Sequence, residues 1–287
     1  MNREEALALA ERGVDELMAA LEQGKSDRLR EYLAFQARFH RYSFNNCLLI
    51  ALQKPDAAFV AGFQRWKELN RFVRKGEKGI VILAPLVKRS KRDEETRRDE
   101  DEPSAKVVGF RAAYVFDVSQ TEGEELPQMS DISGDPGILT DTLRRLIARF
   151  GVELRYEEQL GGALGISEGG RIAVLQELPV AEEFAVLAHE LAHELLHRTE
   201  RRKETTKTIR ELEAEAVAFV VCRAAGLESL ERSSDYIQLY QGNKELFLAS
   251  LSHIQRVATQ IVDGLIELSD AAKPDRTIAH DEERGVC

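Results

Sequence analysis

The chain is short of the residues that staple or span. Its 287 residues include three cysteines, Cys47, Cys222 and Cys287. An odd, widely spaced set makes no disulfide framework and fits a reducing cytoplasm. No run approaches the roughly 20 apolar residues that cross a bilayer, so no membrane partner is expected. The opening Met1-Asn2-Arg3-Glu4-Glu5 is acidic and the apolar positions behind it are periodic, unlike a secretory signal. Internal repeats are missing. So are a sequence-reading helix-turn-helix and a zinc finger, which argues against base-specific DNA recognition. What is present is ordinary core material: 43% hydrophobic and 31% charged residues. That balance excludes disordered, collagen-like and coiled-coil-only chains, and the length suits about two domains.

The net charge of −10 argues against wholesale nucleic-acid binding, but it is unevenly spread. Between Arg38 and Arg92 there are 13 Lys/Arg against only Asp56, Glu68 and Glu77. A local basic field of that size attracts polyanions whatever the global sign, although a merely solvated face would look the same.

Periodicity predicts a helix along Leu7, Ala10, Val14, Leu17 and Leu21, a second from Asp27 to Phe39, and a short third from Cys47 to Gln53. Phe59 to Trp66 reads as a strand or short helix. Val73 to Pro85 reads as a hairpin turning at Lys75-Gly76-Glu77-Lys78-Gly79. Lys88 to Glu102 holds no apolar residue and reads as a mobile loop. Strand character resumes from Val107 to Val118, and a polar connector follows. A boundary near residue 125 divides the chain into domains 1–125 and 126–287. The second half predicts a helix from Thr140 to Phe150, then a hairpin of Ala163–Ile166 and Arg171–Leu175 turning at Gly169-Gly170. Helices follow over Val180–Arg198, Ile209–Ala224 and Lys244–Glu267. This order points to an α+β fold rather than a parallel βαβ sheet.

The sharpest chemical signal is His189-Glu190-Leu191-Ala192-His193, an H-E-x-x-H motif on a predicted helix with Phe184, Leu187, Leu191 and Leu195 as its apolar stripe. Residues four apart share a face, so both imidazoles can reach one ion. Neutral imidazole suits Zn2+, though other divalent metals use it too, and a catalytic zinc takes three protein ligands. Glu190 is placed to accept a proton from the attacking water and pass it to the leaving amine. The strand Ile172–Leu175 ahead of the helix is expected to be the sheet edge along which a peptide pairs.

A third ligand is needed. Position 199 is Thr, not His, and His197 suits a supporting or surface role better than a ligand's. Carboxylates on the next helix remain. Glu215 is the only charge between Ala214 and Cys222, and a carboxylate alone in an apolar helix is costly unless a cation joins it. Glu215 is therefore expected, with Glu211 one turn earlier as the alternative and Glu213 last. Tyr236 can donate to the developing oxyanion, or can simply pack at an interface.

The residues Tyr42-Ser43-Phe44-Asn45-Asn46, Gly62-Phe63-Gln64-Arg65-Trp66-Lys67, Val73-Arg74-Lys75-Gly76-Glu77-Lys78-Gly79 and Val115-Phe116-Asp117-Val118-Ser119-Gln120-Thr121 resemble the N-terminal domain of ArdC-type antirestriction proteins. His189-Glu190-x-x-His193 and Glu215-Ala216-x-x-Phe219 are similar to the ArdC and ImmA/IrrE metallopeptidases, although Val217 stands where the ImmA/IrrE branch commonly has Asn. The resemblance implies a single-stranded-DNA-binding domain before a zincin-like (gluzincin) peptidase. Two roles follow from it: shielding incoming single-stranded DNA, or cutting a DNA-associated regulatory protein.

Sequence-tolerant single-strand binders pair exposed aromatics with cations. Arg65, Trp66, Lys67, Arg74, Lys75 and Lys78 are the expected DNA contacts, with Trp66 as the stacking ring. Phe44, Phe59 and Phe63 are expected in the core. The function expected is a zinc-dependent metalloendopeptidase that binds single-stranded DNA and cuts a DNA-associated protein. Two alternatives stand beside it. One is a DNA-coating protein with a structural or inactive metal site, and the other is a repressor-cleaving peptidase whose first domain binds protein.

Overall fold

The computed structural model describes residues 1–89, 105–126, 136–198, 201–227, 239 and 243–271. The expected Lys88–Glu102 loop lies largely outside them, and Tyr236 wholly so. The chain divides into two compact units, Met1–Pro127 and Gln128–Cys287. Both mix helices with sheet, an α+β architecture. Among the described residues no helix is long and apolar enough to cross a membrane.

The first unit begins with α1 (Arg3–Glu22), α2 (Asp27–Arg38) and α3 (Phe44–Gln53). Asn2 and Glu5 close a capping box on α1, and the Ser43 side chain caps α3 by accepting from the Asn46 amide. β1 (Val60–Gly62), β4 (Ala105–Asp117) and β3 (Ile80–Arg89) form one antiparallel sheet in that spatial order. The helix α4 (Phe63–Glu68) follows β1, and β2 (Arg71–Val73) pairs with β5 (Thr121–Gly123). The expected hairpin across Lys75–Gly79 is therefore wrong. Val73 pairs with Thr121 while Ile80 pairs with Val115, so the turn links two sheets. Gln120 holds that turn by donating to the Lys78 carbonyl and the Glu77 carboxylate.

The free edge of β3 is covered by side chains rather than by a strand. Asn46 accepts from the Leu83 amide and donates to its carbonyl, and Gln53 does the same for Val81. Two amides on one helix thus satisfy a sheet edge that would otherwise invite a foreign strand. Ala6, Ala10, Leu49, Val81 and Leu83 pack together where α1, α3 and the sheet meet.

The second unit carries α5 (Pro136–Arg149), then β6 (Glu153–Glu157), β7 (Gly165–Ser167) and β8 (Arg171–Leu175) in the order β6-β8-β7. The β7–β8 hairpin forms as expected. β6 runs parallel to β8, a pairing the sequence reading did not anticipate. Its residues Glu-Leu-Arg-Tyr-Glu are mostly exposed, so no apolar signal marks them. The edge strand is also corrected, because β8 is central and β7 is the edge. Four helices follow: α6 (Val180–Leu196), α7 (Arg201–Glu204), α8 (Lys207–Ala224) and α9 (Lys244–Ala271). Phe184, Leu187, Leu191, Val217, Val221, Phe247, Ile254 and Ile261 are all buried in the core they share with α5. Each such side chain contributes about 1.5–3 kcal/mol on leaving water. That core fixes α6 against α8.

Candidate metal centre

The α6 register presents His189, Glu190 and His193 toward α8. The Nε2 atoms of His189 and His193 lie 3.1 Å apart. One carboxylate oxygen of Glu211 sits 3.7 Å from the first and 3.5 Å from the second. Among the described residues these three side chains form a cluster whose ligand atoms converge within 4.8 Å of one another. Metal–ligand bonds of about 2.1 Å in tetrahedral array place neighbouring donors about 3.4 Å apart. The triangle fits a single divalent ion.

Glu215 does not join that triangle. Its carboxylate lies 3.4 Å from Nδ1 of His189, the ring nitrogen turned away from the convergence point. The structure thus brings Glu211, the alternative, to the two Nε2 atoms, and places the expected Glu215 beside the other nitrogen of His189. The helix put both carboxylates on one face, and the offset of α8 along α6 decides which one reaches the histidines. Burial lowers the His189 pKa, but its hydrogen bonds to the Glu211 and Glu215 carboxylates outweigh it and push it up to about 9. Hydrogen bonds from the two histidines hold Glu211 well below the usual carboxylate range.

Glu190 is buried beside the triangle. Burial raises its pKa, opposed by the two histidines, and the Ser167 amide of β7 bonds it. Gly165 of the same strand lies so close that a Cβ there would come 2.8 Å from Cγ of Glu190 and 2.6 Å from Val186. Only glycine lets the edge strand pass this close over Glu190.

Behind His193 runs a buried chain that the sequence did not disclose. His193 Nδ1 is 3.1 Å from His197 Nδ1, and His197 Nε2 is 3.0 Å from Glu213. Glu213 also takes a hydrogen bond from Arg201, whose guanidinium reaches Ser250 on α9. A carboxylate only accepts, so His197 donates from Nε2 and accepts at Nδ1. His193 then donates from Nδ1, which leaves its Nε2 lone pair aimed at the centre. His197 is thus buried between His193 and Glu213 rather than at the surface. Glu213, ranked last as a ligand, is the fully buried carboxylate of the group.

Glu194 is a second unanticipated residue. Buried on α6, it accepts from the Ser167 hydroxyl and from the amides of Gly169 and Gly170. Both glycines have positive φ (76° and 105°), the geometry that turns two successive N–H groups toward one anion. This bond ties the edge strand to the motif helix. The only sequence signal was an acid one position past the motif on an otherwise buried helix.

In the first unit the expected DNA contacts fare unevenly. Trp66 is fully buried, its indole donating to the Phe116 carbonyl and its ring edge-on to Phe59. It has no face to offer a base, and that expectation is corrected. Arg65 and Arg74 are exposed but paired with Glu68 and Glu77. Lys67 is exposed and lies 4.9 Å over the Phe63 ring, while Lys75 and Lys78 are exposed at the turn. Phe44 is buried and Phe59 half-buried, whereas Phe63 is 50% exposed and Phe72 55%.

Comparison with known proteins agrees with this division. Residues 8–116 match the family described as the N-terminal domain of anti-restriction factor ArdC, and residues 147–256 match the IrrE N-terminal-like domain of a peptidase family. The uncharacterized Bacillus anthracis protein pXO2-81 is 26% identical over 256 residues, covering 74% of this chain and 43% of its own. The chain thus spans less than half the length of that curated relative. The metal-free crystal structure of antirestriction ArdC from plasmid R388 is 21% identical, with a TM-score of 0.53 over 90% of this chain and 98% of that one. The Mn(II)-bound form of that protein is 20% identical, with a TM-score of 0.51 over 92% and 99%. At these identities the likeness shows a shared fold. Residues 8–116 are thus similar to the ArdC N-terminal domain and residues 147–256 to the IrrE N-terminal-like domain, in a chain that shares the fold of the ArdC structures.

Proposed function

We propose that the second domain is a zinc-dependent metalloendopeptidase and that the first binds single-stranded DNA, so that a DNA-associated protein is cut in the cytoplasm. The observation that carries the peptidase reading is the convergence of His189, His193 and Glu211 with the buried Glu190 beside them. His189, His193 and Glu211 would hold the ion, with Glu215 and the His197–Glu213 pair fixing the rings from behind. A divalent ion there supplies a Lewis acid that polarises the scissile carbonyl and acidifies water. Glu190 takes the proton as the water oxygen adds to the carbonyl carbon. It returns that proton to the amine nitrogen as the C–N bond breaks. The open edge of β7 orients the peptide by backbone pairing.

The DNA reading is supported by the basic window and by the match of residues 8–116 to the N-terminal domain of an anti-restriction factor, since restriction acts on DNA. Phe63 and Phe72 replace Trp66 as stacking rings, with Arg65, Lys67, Arg74, Lys75 and Lys78 along the phosphates.

Zinc titration against a competing chelator tests the ligand set. Glu211→Gln is expected to weaken binding more than Glu215→Gln, whose loss should fall in the about 10–100-fold range of a residue that only orients a ligand. The reverse ranking would return Glu215 to the coordination set and remove the basis for this centre.

A further inference from the structure

Two cavities meet over the proposed centre, and their walls differ in chemistry. The first, of about 460 Å³, is lined by Ala185, Val186, Ala218 and Phe219, with Glu182, Glu215 and Arg223 also on its wall. The second, of about 880 Å³, is lined by Arg198, Arg202, Lys207 and Arg210. Gly165, His189, Glu190 and Glu211 line both, so the two form one trough across the site. Among the described lining residues, Glu168 is the only carboxylate of the basic cavity outside the centre itself, and it pairs with Arg171; Arg198 lies 3.4 Å from the buried Glu194, and Arg210 donates to the carbonyls of Arg202 and Thr205.

The edge strand sets how a peptide would lie in this trough. The Leu175 amide donates to Leu164 and the Glu168 amide to Arg171. Leu164, Ile166 and Glu168 therefore bond inward to β8, and the backbone groups of Gly165 and Ser167 face the open side. Gly162 and Leu164 border only the apolar cavity, while Ile166 to Gly169 border only the basic one. A strand paired antiparallel to β7 runs from the basic end to the apolar end.

From this geometry we infer that the substrate segment is acidic on the N-terminal side of the scissile bond and carries a small or medium apolar side chain after it, selected by Arg198, Arg202, Lys207 and Arg210. The inference rests on the peptidase reading and adds the substrate class to it. Lys207 stands one turn before Glu211 on α8 and Arg198 lies just past the end of α6, on the side of the cavity that a segment before the cut would follow. Nucleic acid would also meet four cations here. The continuity of the basic wall with an open strand edge favours a peptide.

The test uses two fluorescent peptide pools with a shared Ala-Leu centre, one with Glu and one with Lys at the preceding positions. Binding is read by anisotropy on zinc-loaded Glu190→Gln protein, and cleavage by mass spectrometry on the zinc-loaded parent chain. The Glu pool should be favoured about tenfold in both, as two partly screened ion pairs allow. The preference should shrink with salt and invert in Arg202→Glu/Lys207→Glu, at unchanged zinc content and circular dichroism. Equal binding of the pools, or preference for Lys, overturns the inference. So does a double variant that loses oligonucleotide binding while keeping its choice of peptide. Selective binding of the Glu pool without any cleavage would uphold the groove's selectivity and sink the peptidase reading. Cleavage without charge preference would do the reverse.

Discussion

At the scale of single residues, the motif was legible and its partner was not. His189 and His193 are related by a local rule, four residues on one helix, and no tertiary knowledge is needed to bring their Nε2 atoms to 3.1 Å. Glu211 and Glu215 obey the same rule on α8, so the sequence could rank them only by burial. Which of the two lies nearer both Nε2 atoms depends on the packing of α8 against α6, which no local pattern encodes. Gly165 gave no sequence signal at all, since its importance lies in contact with a helix some twenty residues on. Gly165→Ala places a methyl group against Cγ of Glu190 and Val186. This variant should lose at least about tenfold in hydrolysis by displacing the base, the size of effect that a misplacement near 1 Å produces. Its zinc affinity should stay that of the parent, and an equal loss of both would mean that the strand supports the ligands instead.

Elements were mostly legible where apolar periodicity marked them, as for α1, α2, α6, α8 and α9. The edge strand β6 escaped because its side chains face solvent, and the turn at Lys75–Gly79 was misread because its flanking strands choose distant partners. The motif Ser43-Phe44-Asn45-Asn46, read as part of a DNA-binding signature, proves to cap α3 and close the edge of β3.

The link between α6 and α8 is the buried His197–Glu213–Arg201 chain. Glu213→Gln leaves the buried Arg201 with only the exposed Glu204, 3.9 Å away, and should cost about 3 kcal/mol in urea unfolding of the second domain. The pH dependence has a definite sign. Burial raises the Glu213 pKa, but hydrogen bonds from His197 and Arg201 prevail and hold it below its ordinary 4.5. Its contribution is fully present above that value and fades as the pH falls through the folded pKa. The variant should therefore lose most stability relative to the parent at neutral pH and converge with it in acid. A constant gap across that range would assign the loss to packing.

For the whole molecule, the charge asymmetry visible in the composition corresponds to a neutral first unit that carries a basic window, Arg38–Arg92, and an acidic remainder. The aromatic partners of that basic field were not readable, since Trp66 and Phe63 differ in burial only because the short helix α4 turns one inward and the other out. Anisotropy with labelled single strands should show affinity falling steeply as salt rises, with Phe63→Ala/Phe72→Ala weakening it by about 1–3 kcal/mol per ring. Affinity insensitive to both would point to a protein partner for the first domain.

The central claim is that Glu190 acts as the base of a metal-dependent peptidase. It is tested most directly by peptide-pool cleavage with the parent chain and Glu190→Gln at equal measured zinc content. Defined cuts by the parent and none by the variant are predicted. A fully loaded parent that cuts nothing, or a variant that cuts as fast, would contradict it.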